Sequence, residues 1–188
     1  MKIEKVVIQN LNSIENAEIN FSEGILAKEP LFLICGETGS GKSTILDAIT
    51  LALYDKAARY ESVGHDAKME DGKSSTGNTN NILREGTMEG KAELYFTVRD
   101  VTYIATWSVG KTRNGTYKSS KDRRKLEVID GDKRTVLCTN VVDVNKKIVD
   151  FIGLSYDQFI RSVMLAQGEF STFLKSKKEE QSAILEML

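Results

Sequence analysis

The sequence predicts an α/β fold in which a phosphate-binding loop joins a strand to a helix, and three observations support this fold class. An apolar segment at 31–35 precedes a glycine-rich loop at 36–43, and apolar residues at helical spacing follow up to Tyr54. Segments that alternate apolar and polar residues lie on both sides of this unit, as expected for strands with one buried face. The chain has 188 residues, 40% of them hydrophobic and 28% charged, so it can form one domain with a core.

The glycine-rich loop carries the complete pattern G-x-x-x-x-G-K-[ST] in the strand-loop-helix context that this pattern requires. Its glycines let consecutive backbone N–H groups face an anion, and the helix N-terminus adds partial positive charge. We expect Lys42 to reach the β- and γ-phosphates of a nucleotide, and the Ser43 hydroxyl to ligate Mg²⁺. The predicted nucleotide contacts in the loop are Gly36, Thr38, Gly39, Ser40, Gly41, Lys42, Ser43 and Thr44.

The segments before the loop predict a hairpin and a core strand. Alternating residues predict strands at 2–8 and 17–21, with Asn10–Ser13 in the connection between them. The run 31–35 predicts a buried core strand. Cys35 is expected to be a buried, reduced thiol, because it sits in this apolar strand.

The middle of the chain is polar at first, and apolar and polar residues then alternate again. Apolar content falls from 55 to 90, which predicts a mobile polar insertion with a loop at 74–81. An antiparallel β-subdomain is expected over 91–136, with a turn at Asp130-Gly131. Its predicted strands are 92–99, 102–109 and 125–130.

A basic segment at 111–125 contains seven lysines and arginines and Asp122 as its only acid. It is either a solvated hairpin tip or a patch that contacts the phosphates of nucleic acid. The candidate DNA contacts are Arg113, Lys121, Arg123 and Arg124.

The last part of the chain returns to helical spacing. We expect a helix at 141–151 that ends at Gly153, and a short helix at 156–165 that leads into a loop containing Gln167. The predicted unit of helices and loop covers 141–175. A capping box at Ser176 and Glu179 opens a helix over 176–188.

The acidic machinery of a nucleotide hydrolase is missing. Such an enzyme needs an acidic group on the metal ion and a residue that orients the attacking water, usually after a second apolar strand. The nearest segments, 128–131 and 141–144, lack the glutamate and a long apolar run. A GTPase is excluded because Ile148 stands where guanine recognition needs a carboxylate, and a small-molecule kinase would leave the Gln167 segment unexplained. We expect that this chain forms half of a nucleotide-hydrolysis site, and that another part of a longer polypeptide or a second chain completes the site.

Composition excludes further classes of protein. The net charge of −1 gives no overall attraction for nucleic acid, so any DNA contact must come from a local patch. No segment approaches the run of about 18 apolar residues that a membrane span needs. The residues from Met1 to Glu4 do not resemble a signal peptide. We therefore expect a cytoplasmic protein with no membrane contact.

Taken together, these segments resemble the N-terminal portion of the SbcC family, in the double-strand-break repair and SMC-like branch of the ABC ATPases. The most specific segment is 159–170, which reads FIRSVMLAQGEF. Glu37 departs from the family pattern, which commonly has proline there. The other segments that carry the resemblance are 10–13, the loop with 46–54, 92–96 and 107–114.

The resemblance implies an ABC-type P-loop NTPase lobe, with a mixed core sheet, flanking helices and the β-subdomain, ending in a helix toward a coiled coil. Gln167 would be the Q-loop residue, which ligates Mg²⁺ or orients water and senses the γ-phosphate of ATP. Asn12 and Ser13 would lie near the nucleotide. The implied partners are the C-terminal half of the same head, a second head, an SbcD-type Mn²⁺-dependent nuclease and double-stranded DNA ends at the nucleoid.

The implied function is ATP-driven head dimerisation that gates the access of a nuclease to DNA ends. A structural SMC- or RecN-like clamp shares the loop and the coil, so only the partner distinguishes it from this interpretation. A transporter ATPase subunit is disfavoured, because its sequence should continue directly into a signature motif and an Asp-Glu pair.

Overall fold

The structure is a computed structural model, and it describes residues 1–28, 32–61, 78–119, 121 and 123–164. Its main element is a six-stranded sheet with the order β2-β1-β3-β4-β5-β6. Every neighbouring pair in this sheet is antiparallel. The strands are β1 (Lys2–Leu11), β2 (Ile14–Asn20), β3 (Glu89–Val98), β4 (Val101–Gly110), β5 (Arg124–Asp130) and β6 (Lys133–Cys138).

Helices cover one face of this sheet. The longest, α1 (Lys42–Tyr54), contacts β1, β3 and β4, and α3 (Val141–Ile152) contacts β5 and α1. As predicted, α3 ends at Gly153, which has a left-handed backbone with φ 76°. The remaining helices are α2 (Ala58–Glu61) and α4 (Tyr156–Ser162), and short 3-10 turns lie at Leu26–Lys28 and Thr79–Ile82.

The core lies between the sheet and these helices, because alternate side chains of each strand point to the same face. Ile8 of β1 lies opposite Ala92 of β3, which lies opposite Trp107 of β4, and all three are buried. The predicted N-terminal hairpin and the predicted later strands thus form one continuous sheet. This arrangement sets α1 against the middle strands β1, β3 and β4.

The α/β lobe is confirmed, but two predictions about 31–35 are wrong. Residues 32–37 form no strand, and Leu33 and Cys35 are exposed, so Cys35 is not a buried thiol. An apolar strand of this kind needs hydrogen-bonded neighbours and cover on both faces, and no strand of the described part of the chain lies beside it. The parallel strands of the predicted mixed sheet are likewise not among the described residues.

Several predictions fall outside the described residues. These are most of the polar insertion, Gln167 and the helix opened by Ser176. The domain boundaries stay predictions. Within the part of the chain that is described, no helix is both long enough and apolar enough to cross a membrane.

Candidate nucleotide-binding site

The glycine-rich loop lies on the surface, directly before α1. Residues 36–40 are all exposed. Gly39 has φ 87°, and a Cβ atom added there would meet no heavy atom within 4 Å. The loop therefore uses a conformation that favours glycine and leaves open space in front of its backbone.

The first turn of α1 presents unpaired backbone donors to this space. Helical hydrogen bonding starts with the N–H of Ile45, which donates to the carbonyl of Gly41 at 3.1 Å. The N-cap Gly41 offers no side-chain cap, so the N–H groups of residues 42–44 have no intrahelical acceptor. The helix dipole adds positive charge at the same end. Because only 2% of Thr44 is exposed, its contribution would be its backbone N–H.

The side chain of Lys42 lies across the loop. Its ammonium group donates to the carbonyl of Gly36 at 2.7 Å and to that of Glu37 at 2.6 Å. The N–H of Ser40 also donates to the carbonyl of Glu37, at 3.2 Å. The positive charge is thus held at the centre of the loop, where phosphate oxygens can replace the carbonyls as acceptors.

The turn between β1 and β2 packs directly against the loop. A Cβ atom on Gly41 would lie 3.0 Å from Cγ1 of Ile14 and 3.2 Å from Oγ of Ser13. Asn12 in the same turn donates its N–H to the carbonyl of Ile82 at 2.7 Å. The structure therefore brings Asn12 and Ser13, which are far from the loop in sequence, to its side.

These observations fit a triphosphate, since the loop combines open space, uncapped N–H groups and a fixed cation. Ser43 is exposed in the first turn, where a metal ion bound to such a phosphate could meet its hydroxyl. The described residues contain no cluster of histidine, cysteine, aspartate or glutamate that could hold a metal ion by itself. The Mg²⁺ ligation by Ser43 and Gln167 stays a prediction.

A buried carboxylate lies further along α1. Only 5% of Asp47 is exposed, and its Oδ2 lies 3.1 Å from Nη2 of Arg59 on α2. Burial raises the pKa of Asp47 from 3.8 to about 6, although the charge of Arg59 acts to lower that pKa. Sequence reasoning missed this pair, because Asp47 looks like the polar position of an otherwise apolar helix.

This raised pKa predicts a pH-dependent stability. The folded state binds the Asp47 proton more tightly than the unfolded state does, so the stability that this proton contributes is lost as the pH rises from 4 to 7. Relative to an Asp47→Asn variant, the wild-type free energy of unfolding should fall by about 2 kcal/mol over this range. Urea unfolding at several pH values measures the difference. A pH-independent difference between the wild type and Asp47→Asn would contradict the shift.

The structure corrects two of the four candidate DNA contacts. Arg124 is 1% exposed, and its Nη2 donates to the carbonyls of Ala52 at 2.8 Å and Leu53 at 3.1 Å. Arg123 is largely buried and bonds to Asp55. Neither side chain can serve an exposed patch, because both stabilise the C-terminal end of α1. Arg113 and Lys121 are exposed and stay candidates.

The role of these two arginines was missed because a basic run looks the same whether its side chains point outward or inward. Asp55 has a left-handed backbone with φ 60° at the end of α1. Its Oδ1 accepts a hydrogen bond from Nε1 of Trp107 at 2.7 Å. The lone tryptophan was the available signal, since a buried indole N–H needs an acceptor.

Comparison with known proteins places these features in a family. The family described as AAA domain matches residues 5–188. The chain is 35% identical over 196 residues to the SbcC subunit of the SbcCD nuclease of Pseudomonas aeruginosa, covering 100% of this chain and 16% of that protein. It is 39% identical over 190 residues to the SbcC subunit of Clostridium acetobutylicum, covering 100% and 15%. The chain thus spans about a sixth of the length of these curated relatives.

Among solved structures, the recombination mediator protein RecF with ATP matches 95% of this chain and 46% of its own, with 13% identity and a TM-score of 0.43. The family assignment does not depend on this structural similarity; it depends on the family match and the curated relatives. These confirm the resemblance to SbcC that the sequence segments indicated. Because the family match extends over nearly the whole chain, this protein belongs to the AAA domain family.

Proposed function

We propose that this chain is the ATP-binding lobe of an SbcC-type ATPase that acts with an SbcD-type nuclease on double-stranded DNA ends. The observation that carries the proposal is the position of Lys42, whose ammonium group lies across an open phosphate loop. Similarity to SbcC proteins over the whole chain supports ATP as the nucleotide and DNA repair as the setting. The complex would work in the cytoplasm, at the nucleoid.

The residues of this chain would bind and orient the nucleotide. The uncapped N–H groups of α1 and the charge of Lys42 would hold the β- and γ-phosphates, and Asn12 and Ser13 would lie beside the nucleotide. The Ser43 hydroxyl and the Gln167 amide oxygen would hold Mg²⁺. When bound, ATP supplies the phosphoanhydride bond whose hydrolysis resets the head.

The remaining catalytic residues would come from a part of the polypeptide outside this chain. The curated relatives are about six times as long as the matched segment, which leaves room for such a part. The exposed Phe32 and Leu33 present an apolar run next to the loop, and a neighbouring strand from that part would cover it. The same part of the polypeptide would contribute the acidic residues and the signature motif, and a second head would complete each site.

In this proposal ATP closes the head dimer, and the closure gates the access of the Mn²⁺-dependent nuclease to DNA. ATP can drive closure only if it binds the closed dimer more tightly than the open head. The identity of the partner protein distinguishes this function from that of a structural clamp. Affinity purification of the complete protein from its own cells should recover a metallophosphatase-type nuclease, whereas recovery of a kleisin-type partner without a nuclease would contradict the proposal.

The exposed residues of the basic segment give a prediction for DNA binding. Charge reversal of Arg113 and Lys121 should weaken binding of duplex DNA to the complete protein. It should also lower the slope of log K against log salt by about one unit for each lost phosphate contact. Fluorescence anisotropy at several salt concentrations measures both effects. An unchanged slope would instead indicate that the segment is a solvated hairpin tip.

A further inference from the structure

Arg123 lies where three parts of the fold meet. The first part is the basic hairpin (residues 111–119), whose two sides pair through Lys111 and Tyr117. The carbonyl of Arg123 accepts a hydrogen bond from the N–H of Ser108 at 2.8 Å, so Arg123 sits at the base of this hairpin. Arg123 also lines the same cleft as Lys118 and Ser119 of this hairpin, so it is a direct neighbour of the hairpin.

The second part is the C-terminal end of α1. Nη2 and Nε of Arg123 lie 2.5 Å and 3.2 Å from Oδ2 of Asp55. The side chain of Asp55 is only 8% exposed and that of Arg123 only 18%, so solvent screens this ion pair weakly. Trp107, which is fully buried, donates a hydrogen bond to the other carboxylate oxygen of Asp55. The carboxylate cannot swing to follow Arg123, so a shift of Arg123 is passed to the helix.

A shift at Asp55 reaches the phosphate loop through α1. This helix spans 13 residues, or about 20 Å at 1.5 Å per residue, and carries Lys42 in its first turn. Arg124 fixes the same end through the carbonyls of Ala52 and Leu53. Arg123 and Arg124 thus both hold the C-terminal end of the helix that carries Lys42.

The third part is the turn at Thr79–Ile82. Nη1 of Arg123 donates to Oδ1 of Asn80 at 3.4 Å. The carbonyl of Ile82 at the end of this turn accepts the N–H of Asn12 at 2.7 Å. Arg123 is therefore connected to both sides of the candidate nucleotide site, through α1 and through the turn that holds Asn12.

We propose that Arg123 couples the basic hairpin to the nucleotide site, so that a polyanion at the hairpin and a nucleotide at the loop change each other's affinity through Asp55 and Asn80. This coupling rests on the proposed function, because it needs both ligands to bind. Linkage makes the effect reciprocal: each ligand must change the affinity of the other by the same factor.

The test uses the complete protein with a blunt DNA duplex and a fluorescent, non-hydrolysable ATP analogue. Saturating DNA should change the Kd of the analogue by at least about fivefold in the wild type. Arg123→Lys keeps the charge but loses the planar fork that contacts Asp55 and Asn80. It should bind either ligand alone within about threefold of the wild-type affinity, and DNA should then change the analogue Kd by less than about twofold.

The matched control is Arg99→Lys, at an exposed position in the turn between β3 and β4, and it should keep the wild-type coupling. If Arg123→Lys fails to fold, Asp55→Asn breaks the same ion pair while preserving the shape and the acceptor for Trp107, and it should show the same loss. Independent binding of the two ligands in the wild type, or full coupling in a folded Arg123→Lys variant, would overturn the proposal. Failure of the wild type to bind the analogue at all would instead overturn the proposed function, and the coupling with it.

Discussion

Replacing Lys42 by alanine is expected to weaken ATP binding by at least about 100-fold, since hydrogen bonds to charged groups contribute about 1.5–3 kcal/mol each. The ammonium group already lies across the loop, at 2.7 Å and 2.6 Å from the carbonyls of Gly36 and Glu37. Without it, the loop would keep its N–H groups but lose the ammonium group held against its carbonyls. Nucleotide-dependent closure of the heads should be lost as well. Calorimetric titration with Mg-ATP measures the affinity.

Lys133→Ala is the matched control, because Lys133 is exposed on β6, far from the loop in sequence. It should bind ATP like the wild type, and thermal melting should show that both variants are folded. Unchanged ATP affinity in a folded Lys42→Ala protein would refute the role that we assign to the loop.

Replacing Arg124 by methionine should destabilise the fold by about 3–5 kcal/mol, a large part of the stability of an ordinary domain. Burial lowers the pKa of the Arg124 guanidinium to about 10, which still leaves it charged at neutral pH. Methionine fills much of the volume but leaves the buried carbonyls of Ala52 and Leu53 and the side chain of Asn145 without their donor. Urea unfolding followed by circular dichroism measures the loss.

The control for this variant is Arg113→Met, which removes the same charge from an exposed position. Its effect on stability should stay within about 0.5 kcal/mol, as for most surface substitutions. Equal effects of the two substitutions would contradict the assignment of Arg124 to the end of α1.

The sequence predicted the loop and most of the strands because both depend on local patterns. The loop is a fixed spacing of glycines and a lysine, and alternation over 92–99 or 102–109 reflects a strand with one buried face. The helix ending at Gly153 was predictable for the same reason. These features can be predicted without knowing which distant residues pack against them.

The errors concern features that depend on distant neighbours. The apolar run 31–35 predicts a strand, but a strand forms only beside a hydrogen-bonded partner, and no partner strand is among the described residues. Arg123 and Arg124 look like their exposed neighbours until their contacts with Asp55 and with the carbonyls of α1 are known. The family resemblance implied only that Asn12 and Ser13 lie near the nucleotide, and no spacing in the sequence would have revealed that Ser13 lies beside Gly41.

The most direct test of the central claim is ATP hydrolysis by this 188-residue chain, first alone and then mixed with the complementary C-terminal part of the protein. The claim is that the chain binds the triphosphate but lacks the acidic residues needed to hydrolyse it. We expect the chain alone to bind Mg-ATP with no turnover above background, and the mixture to hydrolyse it. Sustained Mg²⁺-dependent hydrolysis by the isolated chain, lost in Lys42→Ala, would contradict the claim.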